Sequence, residues 1–140
     1  MGNGDRGMSA LPKSPHGRHV GFATAELTPK IAHGGKLPVL SERALSGADC
    51  AACRFVDLVE LPAGADIGVH THDGRGEELY VVISGAGRMH LDGATFSVAA
   101  GDVIVNRPNG THGLVNVGAE PLRLVVVEVA VDASIDSARP

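Results

Sequence analysis

The sequence predicts an all-β protein, with short strands packed antiparallel as a sandwich or barrel. Three observations carry this. Apolar stretches of strand length follow one another from residue 54 onward, each bounded by Gly, Pro, Asn or Asp. Glycine makes up 19 of 140 residues, well above average usage, as a chain of tight turns requires. No stretch shows a sustained helical period.

The predicted strands cover residues 54–61, 66–70, 78–84, 87–91, 95–98, 102–106, 113–117 and 122–131. Turn signals separate them, among them Pro62-Ala63-Gly64, Gly74-Arg75-Gly76 and Pro108-Asn109-Gly110. Asp92-Gly93, between Met89/Leu91 and Phe96/Val98, is the dipeptide of a type I′ hairpin. Residues 20–49 hold short apolar pieces broken by Pro29, Gly34-Gly35 and Pro38, with a turn expected at 41–45. No internal repeat occurs, and 140 residues suit one domain. The predicted organisation is a mobile arm over 1–19, a single domain over 20–133 and a polar tail over 134–140.

Charge and composition exclude several classes. Twelve Lys and Arg against sixteen Asp and Glu leave a net charge of −4 with no basic block, which argues against nucleic-acid binding. Three Phe, one Tyr and no Trp leave no stacking platform for bases. No window of eighteen apolar residues occurs, so no membrane span is expected. The N-terminus lacks the apolar core of a secretory signal, and Arg6 stands where a myristoylation signal needs Ser or Thr. The expected location is the cytoplasm, by default. Cys50-Ala-Ala-Cys53 matches a redox or half-zinc spacing, but no βαβ pattern follows and no second pair exists. The pair reads as two thiols in a loop or at a strand edge.

The residues that carry chemistry lie in the strand-rich part. His70 and His72 are two apart, hence on one face of a strand. Glu77 and Glu78 follow after a glycine-rich turn, and His112 lies beyond Pro108-Asn109-Gly110. Three neutral imidazoles and a carboxylate suit Fe(II), Mn(II), Ni(II), Zn(II) or Co(II) rather than Ca(II) or Cu(I). An octahedral ion so held keeps two positions for substrate, water or dioxygen.

These spacings resemble those of the cupin superfamily. Gly64, five residues, then His70-Thr71-His72, and Glu78, six residues, then Gly85, follow its first motif, with one extra residue between His72 and Glu78. Gly101, Pro108-Asn109-Gly110, His112 and Asn116 follow its second motif, with Pro108 one residue late and His112 one residue early. Counting back from Gly85 selects Glu78 over Glu77. The resemblance spans about residues 58–129. It implies a double-stranded β-helix, or jelly-roll, barrel with one divalent transition metal, Fe(II) foremost, on His70, His72, Glu78 and His112. It further implies a small oxygenated substrate, handled by dioxygenase-type oxidation. The alternatives are redox-neutral isomerase, epimerase, cyclase or lyase chemistry, and binding without catalysis.

Parity along the strands extends the site. Tyr80 shares the face of Glu78, where its hydroxyl could orient substrate or act as an acid, or its ring could pack the barrel. Phe55, Asp57, Val59 and Leu61 share a face; if it is inward, Asp57 is a base or a partner of the ligands, and otherwise it meets solvent. His16 and His19 read as solvated and His90 as turned away from the pocket; His33 reads as a solvated loop residue, with draping over a barrel mouth as the alternative. Leu79, Val81 and Ile83 face opposite to Glu78, and Val125, Val127 and Val129 add a second apolar stripe. Residues 20–45 are available to cover these, on their own barrel or on a neighbour's. A two-fold homodimer built partly on them is expected.

Overall fold

Alternation dominates the longest strands. In 76–83 every even position is buried and every odd one more open: Glu78, Tyr80 and Val82 are buried, while Ile83 is 48% exposed. A strand with that pattern needs a partner sheet on its even face, and the chain supplies one.

The computed structural model describes residues 13–14 and 17–131. In chain order its strands are β1 Lys13–Ser14, β2 Gly17–Arg18, β3 Thr28–Lys30, β4 Val39–Ser46, β5 Cys53–Leu61, β6 Asp66–Thr71, β7 Gly76–Ser84, β8 Ala86–Leu91, β9 Ala94–Ala99, β10 Val103–Asn106, β11 Thr111–Val115 and β12 Leu122–Ala130. Among the described residues there is no helix. A six-stranded sheet runs β10-β7-β12-β5-β4-β3, and a four-stranded sheet runs β6-β11-β8-β9. All their pairings are antiparallel. The two sheets face each other across an apolar core that includes Leu61, Met89, Leu114, Leu122, Leu124 and Val126. Each such side chain contributes about 1.5–3 kcal/mol by leaving water. This is the double-stranded β-helix expected from the sequence.

All eight strands expected after residue 53 are present, with ends displaced by at most two residues. The Asp92-Gly93 hairpin forms as expected: both residues have positive φ, 47° and 86°, and Leu91 pairs with Ala94. The N-terminal half departs from expectation. The turn expected at 41–45 is instead the middle of β4, which pairs along β5 and carries β3 on its other edge. Ser41-Glu42-Arg43 reads as polar in sequence, but the strand lies near the sheet edge, where polar side chains are tolerated, and Arg43 finds an ionic partner across the ladder. The arm expected over 1–19 lies mostly outside the described residues. Its described pieces, β1 and β2, pair with each other. The tail expected over 134–140 and His16 lie outside the described residues altogether, and His19 is exposed.

The segment before β3 covers part of its own barrel. Arg123, on the outer face of β12 and ion-paired to Glu60, sits over the Phe22 ring at 5.1 Å, and Leu58 on the same face is only 4% exposed. After β3 the chain crosses to the small sheet, where Ala32 bridges Ile67 and the Gly68 N–H donates to the Ala32 carbonyl at 3.0 Å. This crossing is close enough that a Cβ on Gly68 would collide with the His33 carbonyl oxygen. Gly68→Ala is therefore expected to displace residues 32–35 and to cost about 1–3 kcal/mol in urea unfolding. Gly21→Ala, with nothing within 4 Å of the added atom, serves as the silent control. Equal midpoints for the two variants would contradict the close crossing.

Candidate metal centre

Two neighbouring strands of the small sheet bring the imidazoles together. β6 carries His70, His72 follows its end, and β11 pairs with β6 so that His112 lies opposite His70. The three rings lie within 4.4–4.9 Å of one another by centroid. β7 supplies Glu78 from the opposing sheet. The His112 and Glu78 side chains meet at 3.2 Å, Nε2 to Oε1, and His72 Nε2 is 3.5 Å from the same oxygen. His70 Nε2 and His72 Nε2 are 3.0 Å apart. The four residues named from the sequence thus converge on one place, which straddles both sheets. Glu77 alternates to the other side of β7, opposite Val129.

The donor set fits a divalent cation. The His70 Nδ1 lies 2.7 Å from the Gly68 carbonyl oxygen, which can only accept, so Nδ1 carries the proton of the neutral ring. His70 Nε2 then presents its lone pair toward His72 Nε2, 3.0 Å away. Imidazole nitrogens beside a carboxylate are a donor set that a divalent transition cation accepts. One donor atom each from His70, His72 and His112 lie within 4.8 Å of one another, as do those from His72, Glu78 and Glu128. His112 is fully buried, and its Nδ1 has no partner in the structure.

Burial sets the protonation of the cluster. Desolvation lowers the His70 pKa to about 4, against which the bond to the Gly68 carbonyl works. Burial opposes ionisation of Glu78, but the His112 hydrogen bond and the fields of the imidazoles hold its pKa below the ordinary carboxylate value. Tyr80 is 2% exposed, with its ring edge-on to His112 at 5.4 Å. Burial first, then the Glu78 charge, raises the phenol pKa well above its usual value. Its hydroxyl, turned toward Glu78, is a hydrogen-bond donor and not a base. Asp57 is on the inner face, so the inward alternative holds. It is held by Arg43, Nε to Oδ1 at 2.9 Å and Nη2 to Oδ2 at 3.2 Å, and is not free to act alone as a base.

Arg43 and Glu128 belong to the site although the sequence reading did not assign them there, and His33 takes the barrel-mouth position that the sequence left as its alternative. His33 stacks on His70 with centroids 3.5 Å apart and planes 5° from parallel. Only the close crossing at Gly68 puts it there, and no local signal reports that. Arg43 lies on β4, which was not expected to be a strand. Glu128 places Oε1 3.8 Å from His72 Nδ1, and Arg54 Nε is 3.5 Å from its other oxygen. A signal for Glu128 did exist: it continues the inward parity of Leu124 and Val126. Burial and the Glu78 charge raise its pKa, against the pull of Arg54. Expected to face away, His90 does so, lining an outer cavity of about 330 Å³ that contains none of the cluster residues.

Two cavities meet at the cluster. An inner one of about 100 Å³ runs past Glu78 and Tyr80 to Phe55, Asp57, Arg43 and Lys30. A mouth of about 300 Å³ is walled by His33, Arg54, His70, His72, Asp73 and Glu128. His33 borders both.

A family model described as the cupin domain matches residues 57–128, half of the chain. The chain belongs to the cupin family. This cupin is 32% identical over 74 residues to an oxalate-binding protein of Thermotoga maritima, covering 53% of this chain and 60% of that protein. An uncharacterized protein of Methanocaldococcus jannaschii is 35% identical over 65 residues, covering 46% of this chain and 51% of that one. The cupin thus spans between half and three fifths of the length of these curated relatives. The crystal structure of a predicted oxalate decarboxylase from Thermotoga maritima superposes with a TM-score of 0.70 at 30% identity, over 76% of this chain and 95% of that one. A Cupin 2 conserved barrel domain protein from Salinispora arenicola, at 20% identity and a TM-score of 0.59 over 79% of this chain and 86% of that one, shares the fold.

Two outcomes follow from the cluster. Glu78→Gln is expected to weaken Mn(II) or Co(II) binding by on the order of 100-fold, and Glu77→Gln by less than about 3-fold, measured by calorimetric titration. Equal losses would move the carboxylate to Glu77. In the metal-free chain, the His70 pKa of about 4 lies below its value in the unfolded chain. The stabilisation tied to this ring is then complete above about pH 6.5 and is lost as pH falls toward 4. Urea midpoints at pH 7 and pH 5 should fall further for the native chain than for His70→Gln. Equal falls would show that the ring is not shielded.

Proposed function

We propose that this cupin is a metal-dependent enzyme that acts on a small organic acid bound partly in the inner cavity. One observation supports the reading above all: Glu78, the carboxylate of the cluster, lines a cavity that Arg43 and Lys30 line as well. A carboxylate there meets a guanidinium already fixed by Asp57 and lying 3.9 Å over the Phe55 ring. Two of the five guanidinium N–H groups are used by Asp57, and the rest remain for a ligand. The name of the oxalate-binding relative is consistent with such a ligand.

His70, His72, Glu78 and His112 would hold a divalent transition metal, Fe(II) foremost, with Mn, Ni, Zn or Co as the other candidates. When bound, that ion would supply either a site for O₂ beside the substrate or a Lewis acid for its oxygen atoms. The residues do the rest. Arg43 and Lys30 fix the acidic end, Asp57 positions Arg43, and Tyr80 donates its hydroxyl proton to a hydrogen bond near Glu78. His33 narrows the passage between mouth and cavity, which limits the entry of water. Dioxygenase-type oxidation is the leading chemistry. A redox-neutral reaction of the isomerase or lyase type is the second reading, favoured by the likeness to the predicted oxalate decarboxylase. We place the reaction in the cytoplasm.

Anaerobically prepared chain loaded with Fe(II) tests the first choice: O₂ consumption that depends on an added organic acid supports oxidation, and turnover without O₂ uptake supports the second reading. Arg43→Ala is expected to keep its metal and to bind oxalate, as the probe, at least about 10-fold more weakly in calorimetry. Unchanged oxalate affinity in that variant would contradict the acid-binding role of Arg43.

We also propose a two-fold homodimer. The segment before β3 leaves Ile83, Val103 and Val105 open, at 48%, 60% and 41% exposure. They lie on one outer face, since Val103 pairs with Val81 and Val105 with Leu79. An apolar patch of that kind is commonly covered by a second copy. Sedimentation equilibrium at micromolar concentration should give twice the 14.3 kDa chain mass, and a single species at that mass would overturn the dimer.

A further inference from the structure

Buried polar atoms without a partner gather in one place in this barrel. Among the described residues they are three: Asn106 Oδ1, Asn106 Nδ2 and His112 Nδ1. Both residues adjoin Glu78. His112 Nε2 lies 3.2 Å from Glu78 Oε1, and Asn106, at the end of β10, is directly opposite Glu78 on β7. Asn106 is 1% exposed and follows the buried Ile104 at the two-residue period, so its side chain points inward beside Glu78. Residues opposite each other on an antiparallel ladder have Cβ atoms about 4.5–5.5 Å apart, which lets a carboxamide reach a carboxylate.

A buried carboxamide without partners destabilises a fold, and an apolar side chain of the same shape would avoid that penalty. Ile104, one step back on the same face and opposite Tyr80, is such a side chain. Asn106 has a use once the cluster is filled. A carboxylate only accepts, so in this structure His112 donates to Glu78 from Nε2. A ring that ligates through Nε2 has no proton there to donate. Filling the centre therefore takes from Glu78 the His112 bond, and another donor has to replace it. Asn106 Nδ2 is buried, unpartnered and on the same face. Asn106 lines neither the inner cavity nor the mouth, so it stands behind the carboxylate and outside the path of a substrate.

We propose that Asn106 is a positioning residue of the metal centre: in the filled site its Nδ2 donates to Glu78 and keeps the carboxylate turned toward the three imidazoles. This rests on the metal-binding reading of the cluster and adds to it a residue that touches neither metal nor substrate. Asn106 acts only through Glu78. Its effect on metal binding is therefore lost where residue 78 is no longer a carboxylate, and it adds nothing to the stability of the empty barrel.

Calorimetric titration of the full chain with Co(II), paired with urea unfolding of the metal-free chain, tests this. Asn106→Leu keeps the shape and removes both unpartnered atoms. Its metal-free urea midpoint should be no lower than that of the native chain. Its Co(II) affinity should fall at least about 10-fold, and the visible bands of the bound Co(II) should shift. Ile104→Val, on the same inner face, should lower the midpoint and leave affinity and bands unchanged. In the Glu78→Gln background, Asn106→Leu should weaken Co(II) binding by less than about 2-fold further, because the two side chains act as one unit. Should Asn106→Leu fail to fold, the smaller Asn106→Val carries the same expectation for Co(II). Native affinity and bands in the folded variant would overturn the proposal, as would equal losses from Asn106→Leu in the native and Glu78→Gln backgrounds. A native chain that binds no Co(II) would overturn the metal reading itself, and this proposal with it.

Discussion

The structure depends on one constraint: four polar side chains from two sheets are held facing one another inside a barrel. His70, His72 and His112 come from the small sheet and Glu78 from the large one. Taking these polar groups out of water is costly, so more than the His112–Glu78 hydrogen bond must hold them there. The ladder does this. The pairing of β6 with β11 sets His112 opposite His70, and the long β7–β12–β5 ladders fix Glu78 across the interior. The apolar residues behind them, Leu61, Leu122 and Leu124, have essentially no exposure and leave the barrel little room to relax. The fold therefore holds the centre preorganised, at the expense of His70 basicity.

The surroundings of the centre follow from how the barrel closes. The chain between β3 and β4 crosses to the small sheet because Ala32 can pair with Ile67 and Gly68 leaves space for it. That crossing lays His33 flat on His70. On the large sheet, β4 brings Arg43 onto Asp57 and over Phe55. Arg43 and Lys30 thus line the same inner cavity as Glu78.

Much of this was legible in the sequence, for reasons that differ by residue. The strands after residue 53 announced themselves because turn dipeptides such as Asp92-Gly93 punctuate runs of β-branched residues. The spacing of His70, His72, Glu78 and His112 carried the resemblance to cupins, and the inward position of Tyr80 followed from the two-residue period of a strand. What was not legible depended on contacts far apart in the chain. β4 looks polar because its strand character comes from pairing with β5 and from the Arg43–Asp57 ion pair, fourteen residues distant. His33 lies thirty-seven positions from His70, and only the space above Gly68 joins them. Asp57 could be assigned to a face only conditionally, and its partner could not be named at all. Glu128 was readable by parity but sat among valines whose apolar character masked it.

The central claim is that the four converging side chains hold one cation. Anomalous diffraction from crystals of the chain loaded with Co(II) addresses it most directly. The account predicts one strong peak per chain, about 2.0–2.3 Å from the Nε2 atoms of His70, His72 and His112 and from an oxygen of Glu78. A peak that leaves Glu78 or His112 out of its coordination, or a cluster that stays empty while Co(II) binds elsewhere, would contradict it.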